Sequence, residues 1–133
     1  MILLDTHVLV WFAEDSPRLG PRATRVADAA LQRDELAVAA VSFWEIAMLV
    51  AKRRLDLEPL PAAFRLKVLE QGVREIALDG ATGIRAAEIV GLRGDPADRM
   101  IVATALVLGA ALVTADGSIL RWRSSLRRYD AQC

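Results

Sequence analysis

The sequence of 133 residues contains few cysteine, lysine or histidine residues. Its only cysteine, Cys133, permits neither an internal disulfide nor a cysteine-ligated metal site. Only two of its 17 basic residues are lysines, Lys52 and Lys67, and both fall in helical stretches, which argues against lysine-dependent catalysis. The single histidine, His7, has no second histidine with which to share a metal, so we expect a structural role for it.

The chain also lacks long apolar runs and net charge. No stretch approaches the roughly 20 apolar residues of a membrane span, and the opening apolar run is too short for a signal peptide. We therefore expect a cytoplasmic protein without membrane association. Because 17 basic residues balance 17 acidic ones, an argument for nucleic-acid binding must rest on local charge. Apolar residues make up 54 % of the chain, enough for one well-filled core, and the length predicts a single domain over residues 1–133.

Short apolar runs alternate with helical patterns along the chain. Residues 1–4 lead into Asp5 and are typical of a strand buried on both faces. Further strands are predicted at residues 35–39, 74–78, 110–114 and 128–130. Helices are predicted at residues 6–14, 22–33, 42–54, 61–72, 80–92 and 96–109. This alternation predicts an α/β fold of three layers, with helices covering a mostly parallel central sheet of four to five strands.

Four carboxylates fall at positions that meet at one edge of this sheet. Asp5 ends the first strand and Asp116 follows the fourth. Glu45 is predicted in the first turn of the helix after strand two, and Asp98 in the first turn of the helix before strand four. Because crossover helices run antiparallel to the strands, all four converge on the carboxyl edge. Carboxylates this close stay ionised only with a cation between them, and an all-oxygen site favours Mg²⁺ or Mn²⁺, which support in-line phosphoryl transfer.

Several of these acids also have a local explanation. Ser42 and Glu45 have the spacing of a capping box, which alone would account for the glutamate. Asp95 is a good N-cap before a proline, and Asp98 then favours the helix dipole. The aspartate after strand four precedes a glycine, as in a turn. Only Asp5, at the end of a buried strand, requires a partner, and the coincidence of four acids at one edge favours a single metal site.

With these residues the sequence resembles the PIN domains, specifically the VapC toxins of bacterial toxin–antitoxin pairs. The matching blocks span nearly the whole chain: residues 3–11 (LLDTHVLVW), 42–47 (SFWEIA), 52–57 (KRRLDL), 95–105 (DPADRMIVATA) and 112–116 (LVTAD). The resemblance implies a three-layer PIN-like fold and an endoribonuclease dependent on Mg²⁺ or Mn²⁺ that hydrolyses RNA phosphodiester bonds as a toxin. It further implies a VapB-type antitoxin and a homodimer as partners.

The same resemblance assigns the site residues. It places the catalytic and metal-binding acids on Asp5, Glu45, Asp98 and Asp116. Three of them would hold the metal directly or through water, and Glu45 would ligate through water or help to take the proton from the attacking water. Thr6 and Thr114 fall where the family often has hydroxyls that position the acids or a metal-bound water.

The arginines that are candidates for RNA binding lie mainly beyond Asp116, the last of the four acids. Four arginines cluster there: Arg121, Arg123, Arg127 and Arg128. Trp122, in their midst, could stack on a base, although a solvated terminus with a core tryptophan explains the same residues. Arg99 could contact phosphate or simply pair with a neighbouring acid.

One apolar face is larger than one small core requires. It comprises Trp11, Phe12, Phe43, Trp44 and Met48. We expect most of it to be core and part of it to form a groove for an antitoxin segment or a homodimer face.

Three other classes of protein are to be weighed. A receiver-type phosphoacceptor domain requires a lysine at the end of a late strand, which the chain lacks. A haloacid-type phosphatase requires Asp-x-Asp after the first strand, and His7 stands at the second position. A non-catalytic PIN-like binding module stays open, because metal binding alone does not separate it from an enzyme.

Overall fold

Five short parallel strands form the centre of the computed structural model, which describes residues Met1–Cys133. In chain order they are β1 (Ile2–Leu4), β2 (Leu36–Ala39), β3 (Arg74–Ile76), β4 (Ala111–Thr114) and β5 (Arg128–Asp130). Their order across the sheet is β3-β2-β1-β4-β5, and every neighbouring pair is parallel. The predicted α/β fold is therefore confirmed, including the last edge strand.

Seven helices cover both faces of this sheet. They are α1 (Thr6–Ala13), α2 (Pro21–Gln32), α3 (Ala40–Ala51), α4 (Pro61–Glu70), α5 (Gly80–Glu88), α6 (Pro96–Leu108) and α7 (Gly117–Arg121). Successive strand residues point to opposite faces, so Leu3 packs in one apolar cluster with Ile101 of α6, whereas Leu4 packs in the other with Ile46 of α3. None of the seven helices has the length and apolar character needed to cross a membrane.

The start of α3 differs from the prediction at a functional residue. The helix begins at Ala40 with Ala39 as its N-cap, so Ser42 lies inside it and the predicted start at Ser42 is wrong. The buried strand β2 runs directly into the helix without a loop, and no side chain caps it. Glu45 consequently lies in the second turn rather than the first, and the capping-box explanation for it is wrong.

The end of α5 also differs from the prediction, because the helix stops at Glu88 and not at Leu92. The guanidinium of Arg99, on α6, donates hydrogen bonds to four carbonyls around this end, those of Ala86, Ala87, Ile89 and Leu92. These bonds satisfy carbonyls that would otherwise lack partners at a helix end, and they fix the segment of residues 89–95 that leads to α6.

The predicted apolar face is mostly packed against the core. Trp11, Phe12 and Phe43 are partly buried against the cluster that contains Leu4. Trp44, in contrast, is 58 % exposed on α3 and is the largest exposed apolar side chain of that face.

Candidate active site

An acidic cavity of about 340 Å³ opens at the carboxyl edge of the sheet. Five carboxylate residues line it: Asp5, Glu45, Asp95, Asp98 and Asp116. β1 and β4 end at this edge, and α3 and α6 begin at it, since both helices run antiparallel to the strands. The structure thus brings together all four acids that the sequence nominates and adds Asp95 to them.

Asp5 is held at both carboxylate oxygens. Its Oδ1 accepts a hydrogen bond from the backbone N–H of Thr6 at 2.9 Å, which makes it the N-cap of α1. Its Oδ2 accepts one from the hydroxyl of Thr114 at 2.7 Å. Burial raises the pKa of Asp5, and the bonds from Thr114 and Thr6 oppose that rise by stabilising the charged form. Thr114 therefore orients the carboxylate that ends the central strand.

Thr6, the residue after Asp5, connects the first helix to the third. Its buried hydroxyl donates to the hydroxyl of Ser42 at 3.0 Å, one turn before Glu45 on α3. Burial raises the pKa of Glu45, and the charges of Asp95 and Asp5 raise it further. Both threonines nominated by the sequence thus lie beside acids of the cavity.

Asp98, in the first turn of α6, belongs to a close group of three carboxylates. One oxygen each from Glu45, Asp95 and Asp98 lie within 4.8 Å of one another. Burial, followed by the charges of Asp95 and the other acids, raises the pKa of Asp98 to about 7. A cation beside this carboxyl group would favour its ionised form and lower its pKa again.

Asp95 has two functions in this geometry, of which the sequence analysis recognised only the first. Its Oδ1 accepts a hydrogen bond from the backbone N–H of Asp98 at 2.9 Å, as an N-cap does. It also contributes an oxygen to the group formed with Glu45 and Asp98. The signal was the spacing, because residues three apart at a helix start lie on the same side.

Asp116 is likewise both a cap and a cavity acid. Its Oδ1 accepts from the backbone N–H of Ser118 at 2.8 Å and from the Ser118 hydroxyl at 2.6 Å. The second carboxylate oxygen is not used by these bonds. Local capping and membership of the acidic site are therefore compatible explanations, since a cap occupies only one of the two oxygens.

The donor set suits a hard divalent cation. The three ion pairs of the structure involve other acids, Asp34, Glu35 and Glu75, so no arginine or lysine neutralises the cavity. His7, for which a structural role was expected, is instead exposed and lines this cavity. An all-carboxylate group of this kind fits Mg²⁺ or Mn²⁺ better than a soft transition metal. Neither lysine lines the cavity, so the receiver-type alternative has no support.

The arginines separate into two groups. Arg99 is engaged with carbonyls of α5 and its surroundings, so its predicted pairing with an acid is wrong. Arg127 and Arg128 also donate to carbonyls, those of Gly109 and Ile119 respectively. Arg121 and Arg123 line a second cavity beside the acidic one.

Trp122 fits the interpretation as a core tryptophan. It packs against the cluster that contains Leu3, and its indole N–H donates to the carbonyl of Val90 at 3.0 Å.

A parallel sheet of this order with acids gathered at its carboxyl edge defines a class, and the PIN domain model matches residues 2–123. The chain belongs to the PIN domain family. Within that family it is of the VapC type, being 38 % identical over 116 residues to Ribonuclease VapC22 of Mycobacterium tuberculosis, an alignment that covers 86 % of each chain.

Solved structures share the fold. VapBC2 from Rickettsia felis, solved bound to a DNA fragment from its promoter, has a TM-score of 0.69 at 18 % identity, over 97 % of this chain and 98 % of that one. FitAcB from Neisseria gonorrhoeae has a TM-score of 0.66 at 24 % identity, over 98 % of both chains. At these identities the likeness establishes the fold.

Proposed function

We propose that this protein is an endoribonuclease that hydrolyses RNA phosphodiester bonds with a divalent cation, and that it is the toxin of a toxin–antitoxin pair. The observation that carries the proposal is the convergence of five carboxylates on one cavity without a neutralising arginine or lysine. The similarity to a relative named as a ribonuclease supports RNA as the substrate.

Mg²⁺ or Mn²⁺ is the cofactor that we propose for this cavity. Asp5, Asp98 and Asp116 would hold it directly or through water, and of these three Asp98 also has an oxygen within 4.8 Å of oxygens of Glu45 and Asp95. A divalent cation held here would supply charge compensation for the phosphate and would lower the pKa of the attacking water.

The chain's own residues would then orient the acids and take the proton from the attacking water. The hydrogen bond from Thr114 fixes the orientation of the Asp5 carboxylate, and the bond from Ser118 fixes that of Asp116. Glu45 is buried, so its pKa is raised toward the working pH, which suits a group that takes a proton from water. Glu45 would otherwise act as a ligand through water.

The partners also belong to the proposal. A VapB-type antitoxin is supported by the likeness to the VapBC2 and FitAcB structures, and its contact surface on this chain would include the exposed Trp44. Assembly as a homodimer and location in the cytoplasm follow from the family resemblance.

The test is cleavage of total cellular RNA by the purified protein freed of any antitoxin. Discrete fragments should form with Mg²⁺ or Mn²⁺, disappear with EDTA and return when the metal is restored in excess. Mapping the ends of the fragments identifies the RNA and the bond. A folded, partner-free protein that leaves all RNA intact with either metal would favour the non-catalytic binding module.

A further inference from the structure

A second cavity, of about 500 Å³, has the opposite character to the acidic one. Its walls include three arginines, Arg93, Arg121 and Arg123, together with Ser118 and Trp122, and they include no acid. We call it the basic cavity. Arg93, in the segment that connects α5 to α6, had no assigned role in the sequence analysis.

The three arginines have no partner within the protein. The ion pairs of the structure use other arginines. The guanidinium groups of Arg99 and Arg128 donate hydrogen bonds to carbonyls instead. Arg93, Arg121 and Arg123 make neither an ion pair nor a hydrogen bond, and all three are exposed. Three unpaired guanidinium groups around one concave surface form a site for anions, since each offers several donors to phosphate oxygens.

The basic and acidic cavities have no lining residue in common, but two short segments of the chain connect them. Ser118 lines the basic cavity, and its hydroxyl donates to Asp116 of the acidic one at 2.6 Å. The segment before α6 carries Arg93 into the basic cavity and Asp95 into the acidic one. At both places the protein chain passes from the lining of one cavity to the lining of the other within two residues.

The position of the Arg121 guanidinium depends on a glycine at the start of α7. A Cβ added at Gly117, the residue after Asp116, would lie only 2.7 Å from Arg121 Nη1. The guanidinium thus lies against Gly117, and a larger residue at 117 would displace it.

The charges of the two cavities indicate which phosphates of an RNA strand each of them can hold. RNA carries one negative charge per nucleotide, and a cavity of carboxylates repels every phosphate except one compensated by a cation. With equal numbers of acidic and basic residues, the protein as a whole supplies no attraction. The phosphates next to the cleaved one must therefore be held by local positive charge.

We propose that the basic cavity binds the phosphodiester groups that flank the cleaved bond of the RNA, through Arg93, Arg121 and Arg123. This inference rests on the proposed function and extends it by assigning the path of the strand. Trp122, held by its bond to the Val90 carbonyl, forms the apolar floor beneath the strand. Phosphate contacts position the RNA without selecting its sequence.

The test measures binding separately from cleavage. The probe is a fluorescein-labelled single-stranded RNA of 20 randomised nucleotides, bound to protein that carries Asp5→Asn so that it stays intact. In that background Arg93→Gln, Arg121→Gln and Arg123→Gln are compared singly and together. Arg54→Gln is the matched control, because Arg54 is exposed just beyond the far end of α3, at the opposite edge of the sheet.

The triple variant should bind at least tenfold more weakly than its parent at 0.15 M salt. Its slope of log affinity against log salt concentration should fall by about 0.7 for each lost contact. Arg54→Gln should leave both quantities unchanged. Gly117→Ala, which alters no charge, should weaken binding by a smaller factor than Arg121→Gln.

Cleavage kinetics distinguish failure of this inference from failure of the proposed function. In the active protein the triple variant should raise the apparent KM for total RNA and leave kcat nearly unchanged. An active parent whose triple variant keeps the same RNA affinity, salt slope and KM would overturn the inference alone. A folded parent that cleaves no RNA overturns the proposed function, and one that also fails to bind the probe overturns both.

Discussion

The hydroxyl of Thr114 donates a 2.7 Å hydrogen bond to Asp5 Oδ2 and accepts a 3.0 Å bond from the backbone N–H of Asp116. A single side chain at the end of β4 thereby connects the acid that ends β1 with the acid that begins α7. This bond fixes the spacing of two proposed metal ligands, as an outer hydrogen bond does at many metal sites.

Replacement of Thr114 by valine should lower the rate of RNA cleavage by about 10- to 100-fold, because Asp5 loses its orientation. The free energy of unfolding should fall by only about 1–3 kcal/mol, the net cost of the two hydrogen bonds that the hydroxyl makes to Asp5 and to the Asp116 backbone. Thr114→Ser, which keeps the hydroxyl, should retain most of the activity. Thr104→Val is the matched control, since the buried Thr104 hydroxyl donates only to the Met100 carbonyl of its own helix. Equal cleavage rates for the two valine variants would contradict the positioning role.

Stability without metal should depend on pH through Asp98. Its pKa is raised to about 7 in the folded protein from 3.8, so folding favours the protonated form. The corresponding stability is present below about pH 4 and is lost as the pH rises through 7. Burial raises the pKa values of Asp5 and Glu45 in the same direction. The full shift corresponds to about 4 kcal/mol, of which about 2 kcal/mol falls between pH 5.5 and 8. Because Asp98 is partly open to solvent, we expect about half of the latter, a loss of about 1 kcal/mol over this range.

Thermal melts in EDTA at pH 5.5 and 8 measure this loss, and Asp98→Asn should reduce it. Glu75 and Asp79 have lowered pKa values and are already ionised at pH 5.5, so they do not contribute over this range. Addition of Mg²⁺ or Mn²⁺ at pH 8 should restore the melting temperature by binding the ionised acids. A melting temperature that responds neither to pH nor to metal would contradict the description of the cavity.

Two substitutions of Asp95 should separate the effect of its N-cap hydrogen bond from the effect of its charge. Asp95→Asn keeps an N-cap side chain and should preserve stability while weakening Mn²⁺ binding several-fold. Asp95→Ala should weaken Mn²⁺ binding as much and also cost about 1 kcal/mol of stability. Asp79 caps α5 in the same way, with a 2.8 Å bond from Thr82 N, but lies outside the cavity. The same two changes at Asp79 should therefore affect stability alone. Calorimetric titration with Mn²⁺ gives the comparison, and unchanged Mn²⁺ affinity in Asp95→Asn would exclude Asp95 from the site.

Arg99 should prove important for stability rather than for RNA. Arg99→Ala leaves four carbonyls without their donor and should lower the free energy of unfolding by about 2–4 kcal/mol. Arg99→Lys should rescue little, since an ammonium cannot reproduce the planar set of donors. Arg85→Ala, on the exposed side of α5, is the control in urea unfolding. A stable Arg99→Ala protein with weakened RNA binding would instead make Arg99 an RNA contact.

Patterns within short segments were sufficient to predict much of this molecule. The apolar run before Asp5 and the run before Asp116 indicated central strands, and the direction of crossover helices then placed Glu45 and Asp98 at the same edge. These inferences depend on periodicity and chain direction, which are local or topological properties. The resemblance supplied the choice of RNA as substrate, which neither property contains.

Other features depend on contacts between distant segments and could not be predicted in this way. Ser42 and Glu45 match a capping box in sequence, yet the direct passage from β2 into α3 moves the helix start two residues earlier. Arg99 ends α5 from the next helix, through bonds that span seven to thirteen residues. The exposed position of His7 beside the acids likewise depends on how α1 packs against its neighbours.

The most direct measurement is the cleavage rate of total cellular RNA in Mn²⁺ for Asp5→Asn beside Asp56→Asn. Asp56 is an exposed aspartate outside the cavity, so it controls for the loss of one charge. Both variants should fold, and Asp56→Asn should cleave at the parent's rate. Asp5→Asn should lose at least about a hundredfold, because the cation's contribution of several kcal/mol depends on the carboxylates that hold it. An Asp5→Asn protein that cleaves the same bonds at the parent's rate would contradict the assignment of this cavity as the catalytic centre.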